Sequence, residues 1–338
     1  MKPQYIRYGL SLDYIPKWGI QQALREIYQN YIDFGDYTEE VLPLVSTIKD
    51  VEHVEVTLRN NWNPEDFNFL VIGGSKKDDT KIGKYGEGLK MAFLVFLRTG
   101  IEASMEFGYH SIHPVKSDNK LLGADTYSIK ISNLSENNEG FTTTFIIPTT
   151  EYNTFKTKIV DKTKILFSCD YGDIVDYPAG QVFIGGIWVC NLTNFGKAYD
   201  FKPKHIPINR DREVPYSWDV ESIASLIQAA HGILTAKDLS NDDSRYLQKV
   251  PETVKKTLKP VIVESNIQFV TDEGDIIPKQ FTDKLINSGE FKEEIQTLKE
   301  ADDISDTEAI TNFKNKWLKY NTEAQMDFDL LIKKLNKL

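Results

Sequence analysis

The sequence predicts an α+β protein built as a two-layer sandwich, and three features carry that expectation. An amphipathic helix close to the N-terminus leads into a strand, a long glycine-punctuated polar loop runs straight into an apolar helix, and three strands follow in succession. This order lacks the strand-helix alternation of a parallel sheet. At 338 residues the chain has room for two domains, or for one large domain with an appendage, and 41% hydrophobic residues suffice for a real core.

Residues 18–36, WGIQQALREIYQNYIDFGD, place Ile20, Leu24, Ile27, Tyr31 and Phe34 at three- and four-residue spacing, the period of an α-helix. In VEHVEVTLRN, 51–60, Val54, Val56 and Leu58 alternate with polar residues as in a half-buried strand. The stretch 60–88 collects turn residues, glycines and lysines and ends at the helix LKMAFLVFLRTG. Strands are expected at 101–109, 125–132 and 141–147, the last closed by Pro148, and His110 and His113 read as loop residues. Beyond residue 150 the expected order is a helix over EYNTFKTKIVDKTKILFS, the paired strands QVFIGGIWVC and KAYDFKPKHIPI, and a helix at 219–234. From about residue 239 the chain is rich in lysine and acid, which reads as a solvated, mainly helical extension. The expected divisions are 1–150, 151–238 and 239–338.

Forty basic residues against fifty acidic ones leave a formal net charge of -10, which disfavours a general grip on nucleic acid unless basic residues cluster locally. Cys169 and Cys190 have neither CxxC nor Cys/His spacing and read as buried free thiols. The N-terminus lacks the layout of a signal peptide, and no apolar run approaches the ~20 residues of a membrane span, so a cytoplasmic protein without a membrane partner is expected.

Candidate chemistry falls in two places. On the first helix Glu26, Asn30 and Asp33 stand at i, i+4 and i+7 and share one stripe. An amide oxygen suits hydrated Mg²⁺, and a carboxylate one turn earlier can take a proton from water; the alternative is an ordinary exposed helix face. In the loop, Gly73, Gly74, Gly83, Gly86 and Gly88 are interleaved with Lys76, Lys77, Lys81, Lys84 and Lys90. Glycines let backbone N–H groups approach an anion, lysines add charge, and the following helix N-terminus adds its dipole, which together make a phosphate cradle. The motif is neither a Walker loop nor the dinucleotide fingerprint, because IGKYGEG spaces its glycines G-x-x-G-x-G after a loop.

Together ALREIYQNYIDFGD and SKKDDTKIGKYGEGLKMAF resemble the N-box and the second glycine box with its lid in the GHKL ATPases, the family of gyrase B, ninety-kilodalton heat-shock chaperones, MutL and histidine kinases. The resemblance covers roughly residues 15 to 150, with the boxes in the family's order. It implies a mixed, mostly antiparallel sheet with helices on one face, followed by a smaller α/β transducer-like region. It also implies ATP and Mg²⁺ as ligands: Glu26 as the base that activates water, Asn30 as the Mg²⁺ ligand, and Asp33 as the acid that closes the N-box. Gly83, Tyr85, Gly86, Glu87, Gly88, Leu89 and Lys90 fall in the phosphate-cradling box, and Lys77 or Lys84 is placed to touch phosphate from the lid. FTTTFIIP resembles the family's final strand, where Gly140 and Thr142 are the nearest matches to a glycine and threonine that help hold adenine.

One departure stands out. The family's first glycine box reads Asp-x-Gly-x-Gly, and the corresponding stretch here is LRNNWNPEDF, with Asn60 or Asn61 and no glycine. An Asn oxygen still accepts a hydrogen bond but carries no charge. By the resemblance, a cation from Lys204, Arg210 or Arg212 reaches the γ-phosphate, although INRDRE also reads as a surface ion-pair cluster; His205 reads as structural. The expected activity is slow ATP hydrolysis that gates conformation, dimerisation or protein-partner binding. The alternative is a pseudo-ATPase module acting through a protein partner.

Overall fold

The computed structural model describes residues 2–44, 51–72, 87–119, 124–206, 216–263 and 266–300. The chain divides into two compact units, 1–230 and 231–338. The fold is α+β.

The first unit begins with strand β1 (Gln4–Ser11) and helix α1 (Ile20–Phe34). Gly19 starts the helix: its N–H donates to Gln22 Oε1 at 3.0 Å, as in a capping box. Strands β2 (Tyr37–Pro43) and β3 (His53–Asn60) form an antiparallel pair, and helix α2 (Gly88–Thr99) comes later in the chain. The left-handed Gly100 ends α2, and Ile101 N–H returns to Phe96 O at 2.8 Å. Arg98, in the last turn, donates to the carbonyls of Leu12, Tyr14 and Trp18 and so ties the β1–α1 connection to α2.

Strands β4 (Ala103–Asn119) and β5 (Ala124–Pro148) make one long antiparallel hairpin, and β5 organises the sheet. Its first half pairs with β1 and its second half with β3, so the order is β1-β5-β3-β2, with β4 along the other side of β5. The expected strands at 125–132 and 141–147 are therefore parts of one strand, and the strand expected at 101–109 continues to Asn119. His110 and His113 lie inside β4, not in a loop. Turn-forming residues around Gly108 and Asn133–Gly140 are accommodated within the hairpin as a bulge, with Phe107 paired to Phe141 but His110 to Asn133.

The helices cover one face of this sheet. Val54, Val56 and Leu58 of β3 and Phe141, Phe145 and Ile147 of β5 point inward against Leu24, Ile27 and Tyr31 of α1 and Phe93 and Phe96 of α2. Large side chains so buried contribute about 1.5–3 kcal/mol each. Strand inward positions at every second residue and helix inward positions at every third or fourth explain why the periodicities were readable.

Helix α3 (Thr149–Lys156) is shorter than expected. Asp161 accepts from Thr163 N–H at 2.9 Å and caps a single 3₁₀ turn, and the apolar run after it becomes strand β6 (Ile165–Ser168). The second sheet adds β7 (Gly172–Val175), β8 (Gln181–Ile184), β9 (Ile187–Asn191) and β10 (Ala198–Phe201), in the order β6-β7-β10-β8-β9. All its pairs are antiparallel except β8 with β10. Helix α4 (Ser217–His231) packs Val220, Ala224 and Ile227 on this sheet. Cys169 and Cys190 are free and partly buried here.

In the second unit, a short helix α5 (Glu252–Lys255), an antiparallel hairpin of β11 (Leu258–Val263) and β12 (Asn266–Thr271), and helix α6 (Lys279–Ser288) share a small core around Leu239, Val254, Phe269, Phe281 and Leu285. The sequence reading of this region as mainly helical did not include the hairpin, whose KPVIV run is too short to declare its period.

Two outcomes follow from this architecture. Phe145→Ala, which empties a fully buried position on β5, should cost about 3–5 kcal/mol in denaturant unfolding. Asp200 of β10 accepts from Gly186 N–H at 2.8 Å, and burial, with a smaller contribution from Asp173, pushes its carboxyl up to about 7 from an ordinary 3.8. Between those values the folded protein holds a proton that the unfolded chain has released. Stability should therefore fall as pH rises from about 4 to about 7, and Asp200→Asn should flatten that part of a melting-temperature profile.

Candidate functional site

Helix α1 carries apolar residues on the face toward the sheet and a polar stripe that is not solvated. Glu26 is 5% and Asp33 4% exposed, and Asn30 is half-buried, so the exposed-face alternative does not hold. Buried acids need compensation, and Arg25 supplies part of it at 3.4 Å from Glu26 Oε1. Asn30 donates from Nδ2 to Glu26 O at 2.7 Å, which fixes the amide plane and turns Oδ1 away from the helix backbone.

Helix α2 approaches this stripe through Gly88. A Cβ built on Gly88 would lie 1.9 Å from Glu26 Oε2 and 2.8 Å from its Cδ, so any side chain here would force the carboxylate out of its place at the first residue of α2. The positive end of the α2 dipole therefore faces the Glu26 carboxylate. Lys90, in the first turn of the same helix, is 3% exposed. Leu89 packs on the core, and Glu87 is the N-cap.

At the other end of α1, β3 stops at Asn60. This residue is 8% exposed and continues the inward parity of Val54, Val56 and Leu58, whereas Asn61 is exposed; of the two, Asn60 is the one turned toward α1. Its Oδ1 accepts from Trp62 N–H at 3.1 Å, an Asx turn that replaces the missing glycine turn. Gly140, at φ +88, lets β5 pass so closely that a Cβ there would lie 2.2 Å from Asn60 O. Thr142, the expected partner of this corner, is on the other face. Thr143 receives the Tyr31 hydroxyl from α1 at 2.7 Å, and strand alternation turns Thr142 outward, where Asn138 donates to its hydroxyl at 3.2 Å. Phe141 stands opposite Asn60 instead.

Aromatic rings fill in around Asn60. Phe34, at the end of α1, stacks on Trp62 with centroids 4.3 Å apart, and Trp62 meets Phe141 at 4.8 Å and Phe69 at 5.4 Å. The residues expected from the sequence to cradle phosphate, Gly73, Gly74, Lys76, Lys77, Lys81, Gly83, Lys84, Tyr85 and Gly86, lie outside the described residues, as do Arg210 and Arg212. Lys204 is exposed, and His205 bonds Asp170 O at 3.0 Å in a structural role.

Two features escaped sequence reasoning. Gln29 is 1% exposed on α1, and its Oε1 has no hydrogen-bond partner. A glutamine among Ile27, Tyr28 and Tyr31 was the available signal. Glu39 of β2 accepts from the hydroxyls of Tyr28 and Tyr152 and pairs with Lys156 at 2.6 Å, so one carboxylate holds α1, α3 and β2 together. Nothing in the sequence brings these four residues together, because the link depends on the fold. Burial and Glu39 raise the hydroxyl of Tyr37 to about 12 and that of Tyr28 further.

Among the described residues no group of three or more His, Cys, Asp or Glu is arranged for a metal, and no helix is long and apolar enough to cross a membrane. Asn30 supplies one hard oxygen, which fits Mg²⁺ bound chiefly by water and phosphate.

No family model matches the chain. Over 212 residues it is 23% identical to an uncharacterized protein of Mycoplasma pneumoniae, an alignment covering 58% of this chain and 85% of that one.

The Glu26–Gly88 contact gives a direct check. Gly88→Ala should lower the unfolding midpoint of the natural sequence, and its cost should shrink by about 1 kcal/mol or more in a Glu26→Ala background, where the clash is gone. Equal costs in both backgrounds would show that the contact is not what limits the position.

Proposed function

We propose that the chain is a GHKL-type ATPase that binds a Mg²⁺–nucleoside triphosphate between α1 and the start of α2. The observation that carries this reading is the Glu26 carboxylate seated against Gly88, with Asn30 one turn further along the same stripe. A pure scaffold has no need for an acid, an amide and a glycine-cleared helix N-terminus at one place. Further support comes from the resemblance of the two boxes and from the α+β fold with helices on one sheet face.

In this reading Glu26 accepts the proton of the attacking water, and Asn30 Oδ1 is one ligand of Mg²⁺. When bound, Mg²⁺ neutralises charge on the phosphate oxygens. Nucleotide state would in turn gate dimerisation or binding of a protein partner.

A second reading, a nucleotide-independent interaction module, is favoured by the stacked Phe34–Trp62 pair and by an Asn where the family has Asp. One experiment separates the two. Calorimetry with Mg–ATP should give saturable binding to the natural sequence, with phosphate release that Glu26→Gln lowers about 10²–10⁴-fold. Asn30→Ala should weaken binding in Mg²⁺ and leave it nearly unchanged in EDTA. No binding by the natural sequence leaves the interaction module as the reading that stands.

A further inference from the structure

Asn60 settles which edge a base would meet at the far end of this site. Its Oδ1 faces the Trp62 N–H, a group that can only donate, so the amide cannot flip without losing the turn. The amide nitrogen therefore occupies the other position, and no described residue takes its two N–H groups. The neighbouring rings are the accessible Phe34, Trp62 and Phe69, backed by the buried Phe141, and their one polar group is the Trp62 indole N–H, again a donor. Thr142, which could have offered an acceptor, is turned to the opposite face.

From this, and resting on the nucleotide-binding reading above, we infer that the site selects a nucleotide whose base presents a keto oxygen, as guanine and hypoxanthine do, over adenine. A keto oxygen accepts from Asn60 Nδ2–H while the ring stacks on the aromatic surface. Adenine carries an amino group at the same position, and two donors facing each other leave both unpaired in a half-buried corner. In Asn60→Asp one carboxylate oxygen still accepts from Trp62 N–H, and the other replaces the donor by an acceptor, which suits the adenine amino group.

The test is calorimetry on the full chain with the Mg²⁺ complexes of ATP, GTP and ITP, on the natural sequence and on Asn60→Asp. ITP has the keto oxygen without guanine's extra amino group. The natural sequence should bind GTP and ITP each about tenfold more tightly than ATP, and Asn60→Asp should reverse the order. ATP binding as tightly as GTP and ITP, or more tightly, overturns the inference and leaves the Mg²⁺–nucleotide reading standing. Retention of the keto preference by a folded Asn60→Asp overturns the assignment to Asn60. If no nucleotide binds, both readings fall. The ranking on the natural sequence decides the matter even if the variant does not fold.

Discussion

The approach of Glu26 to Gly88 is the constraint on which the site depends. A carboxylate 5% exposed is stable only where positive potential or hydrogen-bond donors replace water. Here the start of α2 and the Arg25 guanidinium supply positive potential. A larger residue at 88 would have to displace the Glu26 carboxylate from this position. The placement of that carboxylate therefore depends on the absence of a side chain at the start of α2.

A second set of contacts keeps that stripe in place from outside it. Glu39 gathers Tyr28, Tyr152 and Lys156, and Arg98 gathers the carbonyls of Leu12, Tyr14 and Trp18. The first group fixes the middle of α1 against β2 and α3, and the second fixes the chain that enters α1. The polar groups on α1 are therefore carried by a helix anchored at its middle and at its entry.

Much of this was legible in the sequence where a short period governs the outcome. The helix at 18–36, the strand at 51–60 and the buried run at 91–96 each declare themselves by spacing, and of the residues singled out on pattern alone the fold brings Glu26 and Gly88 side by side. What could not be read were consequences of long-range pairing. The β4–β5 bulge absorbs residues that look like a loop, so two expected strands are one, and two histidines expected in a loop lie in a strand. Parity at Thr142 and Thr143 is equally hidden, because adjacent threonines look alike until Tyr31 picks one of them. The Glu39 cluster joins residues 11 and 113 positions apart in the chain, a link that no local pattern encodes.

The position of β1 bears on how the chain leaves the ribosome. This strand precedes by more than a hundred residues its partner among the described residues, the early part of β5, with Gln4 paired to Ile131. Until well over a hundred residues have been made, Tyr5, Ile6, Tyr8 and Leu10 have no strand to lie against, while β2 and β3 can already pair with each other. Until then the nascent chain carries a strand with open hydrogen-bonding edges, and pairing with a second nascent chain competes with folding. A holding chaperone acting on Gln4–Ser11 would guard a strand whose partner arrives late.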